Sequence, residues 1–420
     1  MHLRTSWRAL ITALVIAIVS LAARPTFAAE PIRIGFSMAL TGPSAVIGKQ
    51  ILLALEIWRD DVNAKGGLIG RPVELVYYDD QSQPPNVPGI YTKLINVDKV
   101  DLLIGPYATN MIAAAMPVVI QSNKMTLGIF GLLVNGQFKY KRYFSMLATG
   151  PSGALGFSQG FFELAKAQSP KPRTVAIVSA DAEFARTASD GARENAKAAG
   201  FEIVYDRRYP PNTTDYAPIV RAVQATGPDI AFVAAYPPDS VGIVRAASEI
   251  NFAPKLFGGT MVGLLATNIK MQLGPLLNGI VNHEDFVPGP SFNFPGVGEM
   301  LATYRARAQG QGVDPLGYAF APFAYAAGQV LAAAVEQTKS LDHDRLATHI
   351  HASHFKTVVG EVAFGEDGEW AQSRMMFTQF QNVTGSDIEQ FKDSTRQVIV
   401  WPAEYKTGSL VYPYAEARRK

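Results

Sequence analysis

The feature that most constrains this chain is a rhythm of short apolar runs, none of which alternates with polar residues, each followed by an amphipathic stretch. Residues 32–36 (IRIGF), 73–78 (VELVYY), 102–104 and 125–129 form the first series. Residues 48–63, 87–97 and a segment starting at Asn110 have helical spacing. Apolar runs without alternation belong to parallel strands buried on both faces, and strand–helix repetition of this kind predicts a doubly wound α/β sheet. The rhythm restarts after Gly150-Pro151-Ser152-Gly153, with strands expected at 175–178, 203–205, 230–234 and 256–258. Helices at 183–199, 216–225 and 239–250 separate them. Two sheets of this size imply two domains. Beyond Phe286 the pattern is mostly helical (298–308, 320–338, 341–351) and too poor in strands for a third domain. That segment should pack back on the first lobe, and late strands at 375–381 and 397–401 should join the second.

The first 28 residues have the order of a secretory signal: Arg4 and Arg8, an apolar run over 9–23, then Pro25 and small residues at Thr26 and Ala28. The run is short for a membrane span, so cleavage after Ala28 is expected. The segment carries three arginines and no acid. Without it the formal +2 of the chain becomes −1, from 35 basic against 36 acidic side chains. No clustered basic face remains to argue for nucleic acid as a partner. The chain has no cysteine, so its roughly 390 remaining residues must form a core without disulfides. It also lacks the thiol a bacterial lipid anchor needs. A free periplasmic protein without a lipid anchor is the expectation.

One turn signal is specific. Asn63-Ala64-Lys65-Gly66-Gly67 closes the first helix with a glycine pair suited to a left-handed cap, and Gly70-Arg71-Pro72 leads into VELVYY and Asp79-Asp80. This stretch, DVNAKGGLIGRPVELVYYDD at 61–80, resembles the branched-chain amino-acid-binding family of periplasmic proteins. LTGPSAVIG at 40–48, LLIGPYATN at 102–110 and VAIVSADAEFARTASDGARENAKAAGFEIV at 175–204 extend the likeness. So do DIAFVAAYPPDSVGIVRAASEIN at 229–251, DPLGYAFAPFAYAA at 314–327 and VVGEVAFGEDGEW at 358–370. The resemblance implies the type I periplasmic binding fold, two doubly wound parallel-sheet lobes joined by a three-crossover hinge. Crossovers would fall near 148–151, 281–286 and 363–370, giving lobes of 29–149 plus 285–364 and 150–284 plus 365–420. It also implies a monomer with no cofactor and no catalysis, which captures a small carboxylate by hinge closure and delivers it to the membrane permease of an ABC importer. A periplasmic sensor subunit is the alternative of the same class.

In doubly wound sheets ligands sit beyond the carboxyl ends of the strands. The loop Tyr107-Ala108-Thr109 after LLIG, leading into a helix whose free N–H groups favour an anion, is therefore the first candidate. By resemblance Thr109 matches a carboxylate-binding serine. Phe184 and Tyr236 match two family tyrosines, and Phe320 falls near a family phenylalanine. Phe130 lies just past the strand at 125–129. Together they offer flat apolar area with one polar handle. Two positions depart from the amino-acid binders. Leu132 stands for a threonine that grips the amino acid, and Thr260 for the glutamate that neutralises its ammonium. A buried ammonium without a counter-charge is costly. An ordinary α-amino acid is thus disfavoured unless His283-Glu284-Asp285 supplies the charge.

Two further motifs carry less. Gly156-Phe157-Ser158-Gln159-Gly160 matches G-x-S-x-G, but a nucleophile elbow needs a strand running into the serine, and Ser158 lies inside an amphipathic stretch. A serine hydrolase is the alternative from another class. His343, His349, His351 and His354 cluster beside Asp342 and Asp344 without a thiolate or an H-x-x-x-H pair. They are expected to form a solvated helix and to hold no metal.

Overall fold

The computed structural model describes residues 29–419. The expected signal segment, residues 1–28, lies outside the described residues. The first half of the chain runs β1 (Ile32–Met38), α1 (Ala45–Ala64), β2 (Val73–Asp79), α2 (Val87–Asn96), β3 (Leu102–Tyr107), α3 (Thr109–Gln121), β4 (Thr126–Ile129), α4 (Val134–Phe138) and β5 (Tyr143–Ser145). These strands form one parallel sheet in the order β2-β1-β3-β4-β5. The expected cap after α1 is present. Gly67, at φ +80°, donates its N–H to the Val62 carbonyl, and a Cβ there would stand 1.9 Å from the Arg71 carbonyl oxygen. Asn63 then fastens β2, exchanging bonds of 2.9 and 2.7 Å with the backbone of Val73.

The second sheet is built from α5 (Gly156–Lys166), β6 (Thr174–Ala180), α6 (Glu183–Ala198), β7 (Glu202–Tyr209), α7 (Ala217–Ala225), β8 (Ile230–Ala235), α8 (Pro237–Glu249), β9 (Leu256–Met261), α9 (Thr267–Leu273) and β10 (Val281–Glu284). Its order is β14-β13-β10-β9-β8-β6-β7. Strands β7 to β10 are parallel and repeat the order of the first sheet.

Between the two late strands and β10 come α10 (Val297–Ala308), α11 (Ala321–Thr338), α12 (His343–His351) and the hairpin β11 (Phe355–Thr357) and β12 (Gly360–Val362). As expected, this block packs on the first sheet's helices. The Tyr325 hydroxyl donates to Asp61 at 2.6 Å, and Arg307 reaches Asp60 at 2.6 Å. The late strands β13 (Met376–Phe380) and β14 (Gln397–Trp401) do extend the second sheet, but antiparallel. The chain ends in α13 (Tyr414–Arg418), whose Tyr414 ring packs on Phe257.

The chain passes between the sheets three times. The first and third crossings lie side by side. Ser145 donates its N–H to the Gly368 carbonyl at 2.8 Å, and Arg374 donates to Ala148 at 2.9 Å. Gly368, at φ +77°, permits this approach, because a Cβ would meet the Tyr143 carbonyl oxygen at 2.0 Å. The second crossing is shorter than the expected 281–286. Residues 281–284 are strand β10, and the chain leaves the sheet only at Asp285. All four strand residues are buried despite the polar Asn282, His283 and Glu284. Burial of polar side chains hid this strand from a hydrophobicity pattern.

Candidate functional site

In an open sheet ordered 2-1-3-4-5 the connections on either side of strands 1 and 3 leave in opposite directions, and a crevice opens at their carboxyl ends. Here the two sheets present two such points to each other. In the first, Tyr107 ends β3 and α3 begins at Thr109. In the second, Phe184 opens α6 after β6, and Tyr236 caps α8 after β8. A cavity of about 380 Å³ lies between them.

Seven expected residues line it: Tyr107, Ala108, Thr109, Phe130, Phe184, Tyr236 and Phe320. On the first-sheet side the Phe320 ring stands 5.7 Å from Tyr107 and 4.9 Å from Phe130, both edge to face. On the other side Phe184 packs 6.0 Å from Tyr236 and 5.2 Å from Phe157. Ala108 and Phe130 hold positive φ, +81° and +61°. A non-glycine residue in that region costs on the order of 1–3 kcal/mol and persists where the surroundings enforce it. Both strained residues face the cavity.

The other two expected residues do not line it. Leu132 is packed in the core, and it acts through its backbone, donating its N–H to Thr109 Oγ1 at 3.1 Å. Thr260 lies within β9, fully buried. The strand continues to Met261, so the residues that reach the cavity come later, at Val262 and Leu265. The remaining lining residues that sequence reasoning missed are Leu147, Phe157, His283 and Asp285. Of these only the acidic run 283–285 gave a signal.

Thr109 Oγ1 accepts a hydrogen bond from the Leu132 N–H and so keeps its own hydroxyl proton for another acceptor. It sits in the first turn of α3, where backbone N–H groups have no intrahelical partner and the dipole favours negative charge. This side of the cavity presents hydrogen-bond donors.

The wall contributed by β10 and the residue after it is polar in a different sense. Side chains alternate along β10, so His283 and Asp285 face the cavity while Glu284 turns away. Glu284 meets Lys270 at 3.5 Å and accepts a bond from Gln397, whose amide oxygen in turn holds Lys270 at 2.8 Å. The His283 imidazole, pushed down to about 3 by burial, stays neutral, and its ring packs 5.2 Å from Phe157. Burial, and then the charge of Glu284, push the Asp285 carboxyl up to about 8. His283 Nδ1, Asp285 Oδ1 and the Tyr236 hydroxyl are all buried without a protein partner. Unpaired buried polar atoms cost about 1–3 kcal/mol each unless something pairs them. Asp285 also answers the question left by Thr260: a carboxylate is available in the wall after all.

Neither of the other motifs builds a site. Ser158 lies in the first turn of α5, buried, and accepts a bond from Asn195 Nδ2 at 2.8 Å, with no strand running into it. The four clustered histidines turn to separate partners: Met125, Gln337, Lys141 and Glu361. Among the described residues no group of three or more His, Cys, Asp or Glu is placed to hold a metal ion.

The family model described as "Periplasmic binding protein" matches residues 31–386. The chain belongs to this periplasmic binding protein family. Leu/Ile/Val-binding protein homolog 8 of Brucella abortus is 24% identical over 381 residues, covering 85% of this chain and 90% of the relative. The branched-chain amino acid transporter substrate-binding protein LivJ of Streptococcus pneumoniae, solved with isoleucine, superposes with a TM-score of 0.72 at 19% identity. That superposition covers 85% of this chain and 97% of LivJ. An ABC-transporter solute-binding protein of R. palustris, solved with 4-hydroxybenzoate, gives 0.72 at 20% identity, covering 85% and 94%. These likenesses show the type I periplasmic binding fold, and the family membership makes this chain a solute-binding protein of the ABC-transporter kind. Family membership implies the periplasm. Among the described residues no helix is long and apolar enough to cross a membrane.

Proposed function

We propose that this periplasmic binding protein captures a small aromatic carboxylic acid for an ABC importer. The observation that carries the reading is the pairing of an anion-accepting end, Thr109 and the first turn of α3, with aromatic walls on both sides of one cavity. The ligand carboxylate takes the Thr109 hydroxyl and the free amides of α3. Its ring lies against Phe130 and Phe320 on one side and Phe184 and Tyr236 on the other. A ring hydroxyl reaches His283 and Asp285, pairing atoms that otherwise stay unsatisfied. Closure about the three crossings seals the ligand in, and ligand stabilises the closed form only. The 4-hydroxybenzoate carried by a structural neighbour is in keeping with this ligand class.

One observation favours a second reading. Asp285 is a buried carboxylate in the wall, and an α-ammonium beside it would restore its charge, as an apolar amino acid requires. The neighbour solved with isoleucine supports that class. A thermal-shift panel of benzoate, 4-hydroxybenzoate and cinnamate against leucine, valine and phenylalanine separates the two. Stabilisation by the acids that lack an ammonium is expected. Stabilisation by the amino acids alone, lost in Asp285→Asn, overturns the aromatic-acid reading in favour of the second.

A further inference from the structure

The ligand cavity is not the whole of the crevice. A second, open recess of about 900 Å³ adjoins it, lined from the first sheet by Ser44, Ser82 and Asn110 and from the second by Thr213, Thr214 and Tyr236. The two compartments meet at two places. Tyr236 borders both, and the first turn of α3 is divided between them, with Thr109 inside and Asn110 and Met111 outside.

The chemistry of the recess differs from that of the cavity. Hydroxyls and carboxamides from both sheets stand in its wall beside apolar Pro43, Met111 and Pro211, and the carboxylate within it, Asp239, is already taken by the Tyr209 and Tyr216 hydroxyls at 3.0 and 2.8 Å. The first-sheet wall is held rigidly. Asp79 accepts from the Leu40 and Thr41 amides at 3.0 and 3.2 Å. Ser82 Oγ donates to the Thr41 carbonyl at 2.8 Å and accepts from the Ser44 N–H at 3.2 Å. The Asn110 side-chain oxygen is buried there without a partner. A preorganised, uncharged wall of this kind pays little to pair with uncharged donors and acceptors on a ligand.

We propose that the recess is a second subsite, and that the solute is an aromatic acid carrying an uncharged amide- or hydroxyl-bearing chain next to its carboxylate. This rests on the reading of the inner cavity given above. With the carboxylate on α3, a ligand has its acid end at the junction and its ring inside. A substituent on the carbon beside the carboxylate therefore passes Tyr236 into the recess.

The test compares 3-phenylpropionate with N-acetylphenylalanine by calorimetry on the wild-type protein and on Thr214→Trp, where an exposed residue is enlarged to fill the recess. The acetamide should improve affinity about tenfold, the worth of one or two net hydrogen bonds. Thr214→Trp should abolish that gain and leave 3-phenylpropionate unchanged. Equal affinity of the two acids for the wild type, or equal loss of both in the variant, overturns the subsite while leaving the inner-cavity reading intact. Binding of neither acid overturns that reading and the subsite with it.

Discussion

Replacing Asp285 by asparagine should change how the stability of the ligand-free protein depends on pH. Asp285 is 2% exposed, and burial holds its carboxyl at about 8 against an ordinary 3.8. The unfolded chain therefore gives up this proton near pH 4, while the native chain keeps it until about pH 8. A folded value raised above the unfolded one gives stability that is present below the lower value and lost as pH climbs through the upper one. Each pH unit in that window costs about 1.4 kcal/mol per proton. Between pH 5 and pH 8 the wild type should fall by up to on the order of 4 kcal/mol relative to Asp285→Asn, whose side chain has similar shape and no charge to bury. Glu284 and Glu369, also pushed up by burial, to about 7 and about 8, titrate in both proteins and largely cancel in the difference. Urea unfolding of both proteins at pH 5, 6, 7 and 8 gives the comparison directly. Parallel stability curves would refute the argument, because they would mean that Asp285 is solvated or already paired.

Thr109→Ser should keep ligand affinity. Thr109→Val should weaken it about tenfold or more and lower the melting midpoint, since it removes the ligand's donor and strands the Leu132 amide that Thr109 accepts. Calorimetry and thermal melts read both effects, and equal affinity of Ser and Val variants would count against an anion at α3. Small-angle scattering should show a smaller radius of gyration with saturating ligand than without. An unchanged profile with binding confirmed would count against closure about the three crossings. A fluorophosphonate probe should leave Ser158 unlabelled, because its hydroxyl is buried against Asn195 in α5; labelling at Ser158 would restore the hydrolase alternative.

The architecture was legible wherever burial and hydrophobicity coincide. Strands such as β6 and β8 are apolar runs buried on both faces, and the helices between them carry ordinary amphipathic spacing. Strand β5 was not legible because three residues set no pattern. Strand β10 was not because its middle residues are polar yet buried, Asn282 and Glu284 through specific partners rather than through apolarity. The same fact explains the partial reading of the site. Residues at the ends of recognisable strands, such as Tyr107 and Tyr236, could be placed by topology alone. Asp285 follows directly on a strand that polarity concealed. Phe157 sits beside Ser158 in an amphipathic stretch, and nothing in that spacing distinguishes a cavity wall from a core. Thr260 does not line the cavity because the strand runs on to Met261, and the lining positions fall later, at Val262 and Leu265.

The central claim is that Thr109 and the aromatic walls select a carboxylate with a ring and require no ammonium. Calorimetric titration of the wild-type protein at pH 7 with 4-hydroxybenzoate and, separately, with phenylalanine tests it most directly. The account predicts saturable binding of 4-hydroxybenzoate with a negative heat-capacity change, the mark of apolar surface leaving water, and weaker or undetectable binding of phenylalanine. Tight binding of phenylalanine with none of 4-hydroxybenzoate would contradict it.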